Sequence, residues 1–315
     1  MDSALVTGGA GFIGSHITAA LAARGVNVRV LDNLSTGKRA NLEAIGGIGG
    51  PVSFVEGDVL QPEALDAAID GVDVVFHQSA MASVPASVRS PVASHEHCAT
   101  GTVRVLDAAQ RLGVGRVVYA ASSAAYGDAT AGAKRESDPP SPMSPYAAAK
   151  IAGEMYCRAF AECFDLHAVS LRYFNVYGPR QDPEGEYSAV IPKFVTRMLS
   201  GSRPVVFGDG KQSRDFVFVE DVVQANLAAA ETPAAAGGCF NVARGEQTTL
   251  LELIDAINAA LGIELEPEFQ PPRAGDPKES LADISKSREV LGYEPQVDFR
   301  DGLLRSIDYY RSVAS

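Results

Sequence analysis

Cysteine is scarce in this chain: Cys98, Cys157, Cys163 and Cys239 are the four in 315 residues. They show neither the paired spacing of a structural metal site nor the density of a disulfide framework, so a reducing cytoplasm is the expected setting. Net positive charge is also missing. With 27 Lys and Arg against 39 Asp and Glu, the formal net charge is -12, which argues against a nucleic-acid partner because such binding needs a basic face. No apolar run reaches the length that spans a bilayer, so no membrane partner is expected. The opening "MDSALVTGG" enters an expected strand at once, without a charged and apolar leader. There is no Gly/Ser-rich linker, internal repeat or low-complexity segment, and only "IGGIGG" before Pro51 reads as a loose loop.

What is present is the composition of an ordinary globular protein, 46% hydrophobic and 21% charged. Short valine-rich runs alternate with alanine-rich helical stretches: "SALVTG", "VNVRVLD", "VSFVEGD", "VDVVFHQ", "GRVVYAASS" and "HAVSLRYFN", with "CFNVA" near Cys239 as a candidate seventh. Strands alternating with helices predict an α/β fold, a doubly wound parallel sheet of the Rossmann-like kind. Past about residue 174 proline and glycine punctuate the chain densely, as in "YGPRQDPEGEY" and "PPRAGDPKES". That pattern predicts a smaller mixed α/β substrate-binding domain over residues 174–315. Residues 1–173 form the expected cofactor domain, with a return segment near 216–242.

The first strand runs straight into "TGGAGFIG", where Gly8, Gly11 and Gly14 are spaced GxxGxxG. Glycines at a strand-to-helix turn let backbone amides approach a pyrophosphate, and the helix N-terminus adds partial positive charge. The second strand ends in Asp32, within the interval where a carboxylate accepts from an adenosine ribose hydroxyl. Such a carboxylate repels a 2′-phosphate, so NAD is favoured over NADP; Lys38 and Arg39 nearby keep the phosphate form open. After the third strand, Asp58 of "GDV" can reach an adenine or simply close a turn.

In "MSPYAAAKIAGEMY" a tyrosine and a lysine stand four residues apart. Ser144 and Pro145 supply an N-cap and a first helical residue, and positions i and i+4 share one helical face. Tyr146 and Lys150 therefore point into one space, and a nearby ammonium is expected to lower the phenol's pKa toward that of a general base. The fifth strand delivers Ser122 and Ser123 to the carboxyl edge of the sheet, where ligands of such folds bind. A serine, a tyrosine and a lysine above a nicotinamide suit oxidation of an alcohol.

Through "TGGAGFIG", "DNLSTG", "SSAAYG", "SPYAAAK", "LRYFNVYGPRQDP", "VIPKF" and "GDGKQSRDFVFVEDV" the chain resembles the extended short-chain dehydrogenase/reductase superfamily, and within it the nucleotide-sugar 4-epimerases. The similarity is greatest to the UDP-N-acetylglucosamine 4-epimerases. The resemblance implies that Tyr146, Lys150 and one of Ser122 and Ser123 form the catalytic group, Ser122 matching better because it precedes Tyr126 by four. It implies that Phe12, Ile13, Asn33, Ser35, Thr36, Gly37 and Val59 join Gly8, Gly11, Gly14, Asp32, Asp58, Tyr146 and Lys150 around NAD. Around a UDP-sugar it implies Ser83, Ser122, Tyr146, Asn175, Val190, Arg214, Arg273, Asp276 and Ser280. Arginines suit that task because their forked donors match phosphate oxygens.

The resemblance also sorts the reactions. Related 4,6-dehydratases carry Asp then Glu after the hydroxyl residue, and UDP-glucuronate decarboxylases keep a glutamate there; this chain has Ser123 and Ala124. An epimerase needs neither acid. Ser280 falls where glucose/galactose-restricted relatives carry a bulky tyrosine, and a serine leaves room for an N-acetyl group. UDP-GlcNAc and UDP-GalNAc are the expected substrates, with UDP-glucose and UDP-galactose accepted more weakly. A UDP-glucuronate or UDP-glucose 4-epimerase is the alternative, and a non-catalytic NAD-binding scaffold the remote one. Relatives have asparagine where Cys98 stands. His95 and His97 lack a further clustered ligand, so no metal is expected; His77, at a strand end, touches the cofactor or is a satisfied interior histidine. A homodimer through the Val103 and Tyr146 helices is expected by resemblance.

Overall fold

Seven parallel strands lie in one sheet of the computed structural model, which describes residues 1–46, 50–128, 132–183, 189–272 and 278–314. In chain order they are β1 (Ser3–Thr7), β2 (Asn27–Asp32), β3 (Val52–Glu56), β4 (Val74–His77), β5 (Arg116–Ser122), β6 (His167–Tyr173) and a seventh, Cys239–Val242. Their spatial order is β3, β2, β1, β4, β5, β6, seventh. The candidate strand at Cys239 is thus the edge of the sheet beyond β6. The chain winds outward from β1 to β3 and then restarts at β4 on the other side of β1. This reversal opens a crevice at the carboxyl ends of β1 and β4, where such sheets take ligands.

Alternate residues of each strand enter different cores, because side chains of a strand alternate between faces. Ala4 and Val6 join Val30, Phe76 and Val118 on one face, where the helices Phe12–Ala23 (α1) and Val219–Glu231 pack. Leu5 joins Val75, Val117 and Tyr119 on the other, against residues of the helices Pro62–Ile69 and Gly101–Arg111. Burial on both faces explains why the strands read as near-continuous valine runs.

A third core belongs to the second half of the chain. Phe194, Val195 and Met198 of helix Val190–Leu199 pack with Leu253, Ile254 and Ile257 of helix Leu250–Leu261 and with Leu303, Ile307 and Tyr310 of helix Phe299–Ala314. Two-stranded ribbons frame it: Asn175–Tyr177 with Phe216–Phe218, Ser213–Arg214 with Thr248–Thr249, and Val205–Phe207 with Glu268–Gln270. The first ribbon begins two residues after β6 ends, which sets this layer directly above the carboxyl edge of the sheet.

Candidate active site

The turn from β1 into α1 is shaped by glycine. Gly8 has a φ of +69°, and a Cβ on it would lie 2.8 Å from the Ser79 amide nitrogen. A Cβ on Gly14 would meet the Gly8 carbonyl oxygen at 2.2 Å, so the helix reaches this close to the turn only without a side chain there. Gly11 is the N-cap and offers no side-chain acceptor, which leaves the first α1 amides, those of Phe12 and Ile13 among them, without a side-chain cap.

Asp32 ties this turn to the loop after β2. Its Oδ2 accepts from the Ala10 amide at 3.0 Å and its Oδ1 from the Leu34 amide at 2.8 Å. The Ala10 carbonyl in turn accepts from the Lys38 amide. A carboxylate with 8% of its residue surface exposed is thus held beside the glycine turn, with lone pairs left for a ribose. Gly37 passes so close that a Cβ on it would touch the Asp32 carboxylate at 2.8 Å. Asn33 donates to Asp58 Oδ2 at 2.6 Å and accepts from the Ser35 amide, while Thr36 lies in the same loop. Val59, beside Asp58, is buried against the second core. Lys38 and Arg39, candidates for a 2′-phosphate, pair instead with Asp182 and Glu56.

The tyrosine helix runs over Pro145–Phe164 with Ser144 as N-cap, its hydroxyl accepting from the Ala147 amide at 3.1 Å. Gly153 presses it onto β5: a Cβ there would reach the Tyr119 hydroxyl at 2.4 Å by geometry. Ser122 closes β5 in register with Tyr173, and its hydroxyl accepts from the Ala124 amide as the chain turns through Ser123–Tyr126. Ser123 therefore starts a short turn while Ser122 stays at the strand end. The Tyr146 phenol meets Ser122: burial pushes its pKa up to about 12, and a hydrogen bond with Ser122 pulls it down.

Lys150 behaves differently from the sequence expectation. Its Nζ donates to the Ala120 carbonyl at 2.7 Å and lies 4.8 Å from the centre of the Tyr119 ring. The pKa of Tyr146 is thus raised by burial rather than lowered by the lysine. Burial lowers the pKa of Lys150 itself, with Cys98, Glu154 and Cys157 opposing that shift. Spacing at i and i+4 brought the two residues to one face, but a strand carbonyl captured the ammonium.

Cys98 lies within a one-turn π-helix, Glu96–Thr100, and is buried with Ala99 and Ala149 against Tyr146 and Met81. His77 is fully buried; Nδ1 and Nε2 meet Thr7 and Thr102 hydroxyls at 2.8 and 3.0 Å. It is therefore the satisfied interior histidine. Among the described residues no group of three or more His, Cys, Asp or Glu side chains is placed to hold a metal ion.

Of the sugar-nucleotide candidates, Asn175, Val190 and Arg214 line one cleft of about 980 Å³ above the sheet edge. Asn175 Nδ2 donates to the Asp215 carbonyl at 3.1 Å and to Ser280 Oγ at 3.3 Å, which brings Ser280 beside it. Arg214 donates to the Ser213 carbonyl at 2.8 Å. The Ser83 hydroxyl accepts from the Ala86 amide at 3.1 Å and caps the helix Val84–Arg89, with its own O–H left to donate. Arg273 and Asp276 lie outside the described residues. The same cleft is lined by Lys193, Phe207, Gln212 and Gln270, which the sequence reading missed. Lys193 sits in "VIPKF" and Phe207 just before "GDG", segments already singled out for their neighbours.

The family model described as the NAD dependent epimerase/dehydratase family matches residues 4–243. A UDP-glucose 4-epimerase of Mycolicibacterium smegmatis is 41% identical over 315 residues, covering 98% of both chains. The structure of a UDP-N-acetylglucosamine 4-epimerase from Methanobrevibacter ruminantium, in complex with UDP-N-acetylmuramic acid, superposes with a TM-score of 0.94 at 37% identity and covers 99% of both chains. A UDP-glucuronic acid 4-epimerase from Bacillus cereus, in complex with UDP-glucuronic acid and NAD, gives a TM-score of 0.91 at 31% identity over 99% of both chains.

Proposed function

The chain belongs to the NAD dependent epimerase/dehydratase family, and from that premise we propose that it interconverts UDP-GlcNAc and UDP-GalNAc by 4-epimerisation. It is an NAD-dependent enzyme. The residues fit that cofactor: a glycine turn that admits no Cβ, uncapped α1 amides and the anchored Asp32 carboxylate match pyrophosphate and ribose. NAD supplies the acceptance and return of a hydride.

The observation that carries the reading is that Ser122, the last residue of β5, lies close enough to the buried Tyr146 phenol to lower its pKa. Tyr146 takes the proton of the sugar's C4 hydroxyl and later returns it, Ser122 holds the C4 oxygen, and Lys150 binds the cofactor's ribose. Ser123 and Ala124 bring no carboxyl group to this point, which favours epimerisation over elimination of water. The 4-keto sugar then turns over in the cleft and is reduced on its other face. Asn175, Val190 and Arg214, with Arg273 and Asp276, hold the UDP moiety, and Ser280 beside Asn175 leaves space at C2.

Residues 1–173, with the return segment 216–242, are read as the cofactor half and 174–315 as mainly the sugar-nucleotide half. The packing of helix Val219–Glu231 on α1 and the pairing of Cys239–Val242 with β6 support that division. A homodimer through the helices holding Val103 and Tyr146 is supported by exposed Met155 and Tyr156 on the second of them. The four free cysteines support a cytoplasmic setting. No helix among the described residues is long and apolar enough to cross a membrane.

The test is to incubate purified protein separately with UDP-GlcNAc, UDP-glucose and UDP-glucuronate and to follow anomeric protons by NMR. Conversion of UDP-GlcNAc to UDP-GalNAc is expected. Turnover of UDP-glucose or UDP-glucuronate alone would overturn the choice of sugar, and no turnover of any would overturn the reaction.

A further inference from the structure

Behind Tyr146 and Lys150 lies a buried ion pair that the proposed chemistry does not use. Glu154, one turn beyond Lys150, accepts from Arg172 Nε at 2.9 Å and from Nη2 at 2.7 Å. Both residues are 3% exposed. The guanidinium also lies 4.6 Å from the centre of the Tyr126 ring. Tyr126 ends the turn that begins just after Ser122, and its hydroxyl donates to Asn241 Oδ1 of the seventh strand at 2.6 Å. Arg172 Nη1 is buried and has no hydrogen-bond partner among the described residues.

Arg172 thus touches both segments that carry the reacting hydroxyls: the tyrosine helix through Glu154 and the serine turn through Tyr126. It stands on β6 opposite Ala121, next to Ser122. Two desolvated charges at this depth are a costly way to stabilise a core, since apolar residues of similar volume often do as well. A planar fork with a stacking face, by contrast, fixes two partners in distance and angle at once. We propose that Arg172, paired with Glu154, is a positioning residue that holds the Ser122 turn and the Tyr146 helix at the separation where their hydroxyls meet. The proposal rests on the reading of Ser122 and Tyr146 as reacting groups.

Two variants test it. R172K leaves Glu154 paired with a cation and Lys150 untouched, but cannot both fork and cover the Tyr126 ring. E154L/R172M removes both charges together, so no uncompensated carboxylate is left to unfold the protein. The groups that face the phenol, Ser122, Cys98, Tyr119 and one turn on Lys150, are present in each; E154L also removes a carboxylate that raises the Lys150 pKa, so the pH profile is read in R172K. With UDP-GlcNAc, kcat is expected to fall by about tenfold or more, as small misplacements of reacting groups do, while KM stays within about twofold. The acidic limb of the kcat/KM profile is expected to move to higher pH, because the Ser122 hydrogen bond that lowers the Tyr146 pKa is weakened. Crystal structures of E154L/R172M and of the wild type read the geometry without turnover: Ser122 Oγ and Tyr146 Oη are expected farther apart in the variant. Wild-type kcat in both variants, a lower melting temperature as the sole change, or the same separation of the two hydroxyls as in the wild-type crystal structure would each overturn the proposal. If wild-type protein turns over no UDP-sugar, the functional reading fails instead, and the crystallographic result still decides the positioning role.

Discussion

Tyr146 and Ser122 meet across the carboxyl edge of the sheet, the phenol on the second residue of its helix and the serine on the last residue of β5. The contact explains an ordering of effects. Removing the phenolic oxygen in Y146F takes away the proposed proton carrier and is expected to lower kcat on the order of a thousandfold. S122A removes the hydroxyl proposed to hold the C4 oxygen and is expected to cost on the order of a hundredfold. Steady-state kinetics of the two variants, with thermal melts to confirm that both are folded, checks the order.

Ser280 stands beside Asn175 at 3.3 Å. A ring in its place would fill the space assigned to the N-acetyl group. S280Y therefore lowers kcat/KM for UDP-GlcNAc on the order of a hundredfold while leaving any turnover of UDP-glucose within a few-fold. A parallel loss for both sugars would remove Ser280 from the specificity argument.

Gly14 admits no side chain. G14A would set a Cβ 2.2 Å from the Gly8 carbonyl oxygen, and the nearest atoms it meets, in Gly8 and Gly9, are all backbone, so α1 must shift away from the turn. Overpacking of this kind costs about 1–3 kcal/mol or more, and it distorts the α1 amides proposed to hold the pyrophosphate. Chemical denaturation should show the loss, and calorimetric titration with NAD should show weakened binding.

Two interior histidines are expected to add to the loss of stability in acid. His77 has its pKa lowered from 6.5 to about 3 by burial first and then by Lys150. Below pH 6.5 the unfolded chain takes up a proton there that the folded chain refuses. Stability is full above pH 6.5 and falls as pH drops from there toward 3, by about 1.4 kcal/mol per unit at most. H77Q, which keeps a neutral amide between Thr7 and Thr102, is expected to flatten the dependence of unfolding free energy on pH between about 6 and 4. A slope identical to wild type would assign the acid sensitivity to other groups, such as His16, whose pKa burial lowers to about 4.

Much of this architecture is legible in the chain because parallel strands buried on both faces must be apolar throughout, so "VDVVFHQ" or "GRVVYAASS" could hardly be anything else. The start of the Tyr146 helix is equally plain, since Ser144 and Pro145 act locally. What depends on tertiary geometry is hidden. Nothing near Lys150 in sequence shows that its ammonium goes to Ala120, thirty residues away. Ser83 reads as a sugar contact, and nothing in the sequence shows that its hydroxyl also accepts from the Ala86 amide as a helix cap. The two-residue strands Ser213–Arg214 and Thr248–Thr249 are too short to show any alternation. Lys193 and Gln270 reach one cleft from segments far apart in the chain, and Glu154 finds Arg172 across a helix and a strand.

The central claim is that one hydrogen leaves C4 and returns to the same carbon on its opposite face. The direct measurement is conversion of UDP-GlcNAc carrying deuterium at C4, in ordinary water, with the label followed by NMR and mass spectrometry. Retention of deuterium at C4 of the UDP-GalNAc formed is the predicted result. Product in which that deuterium has been replaced by solvent hydrogen would contradict the account.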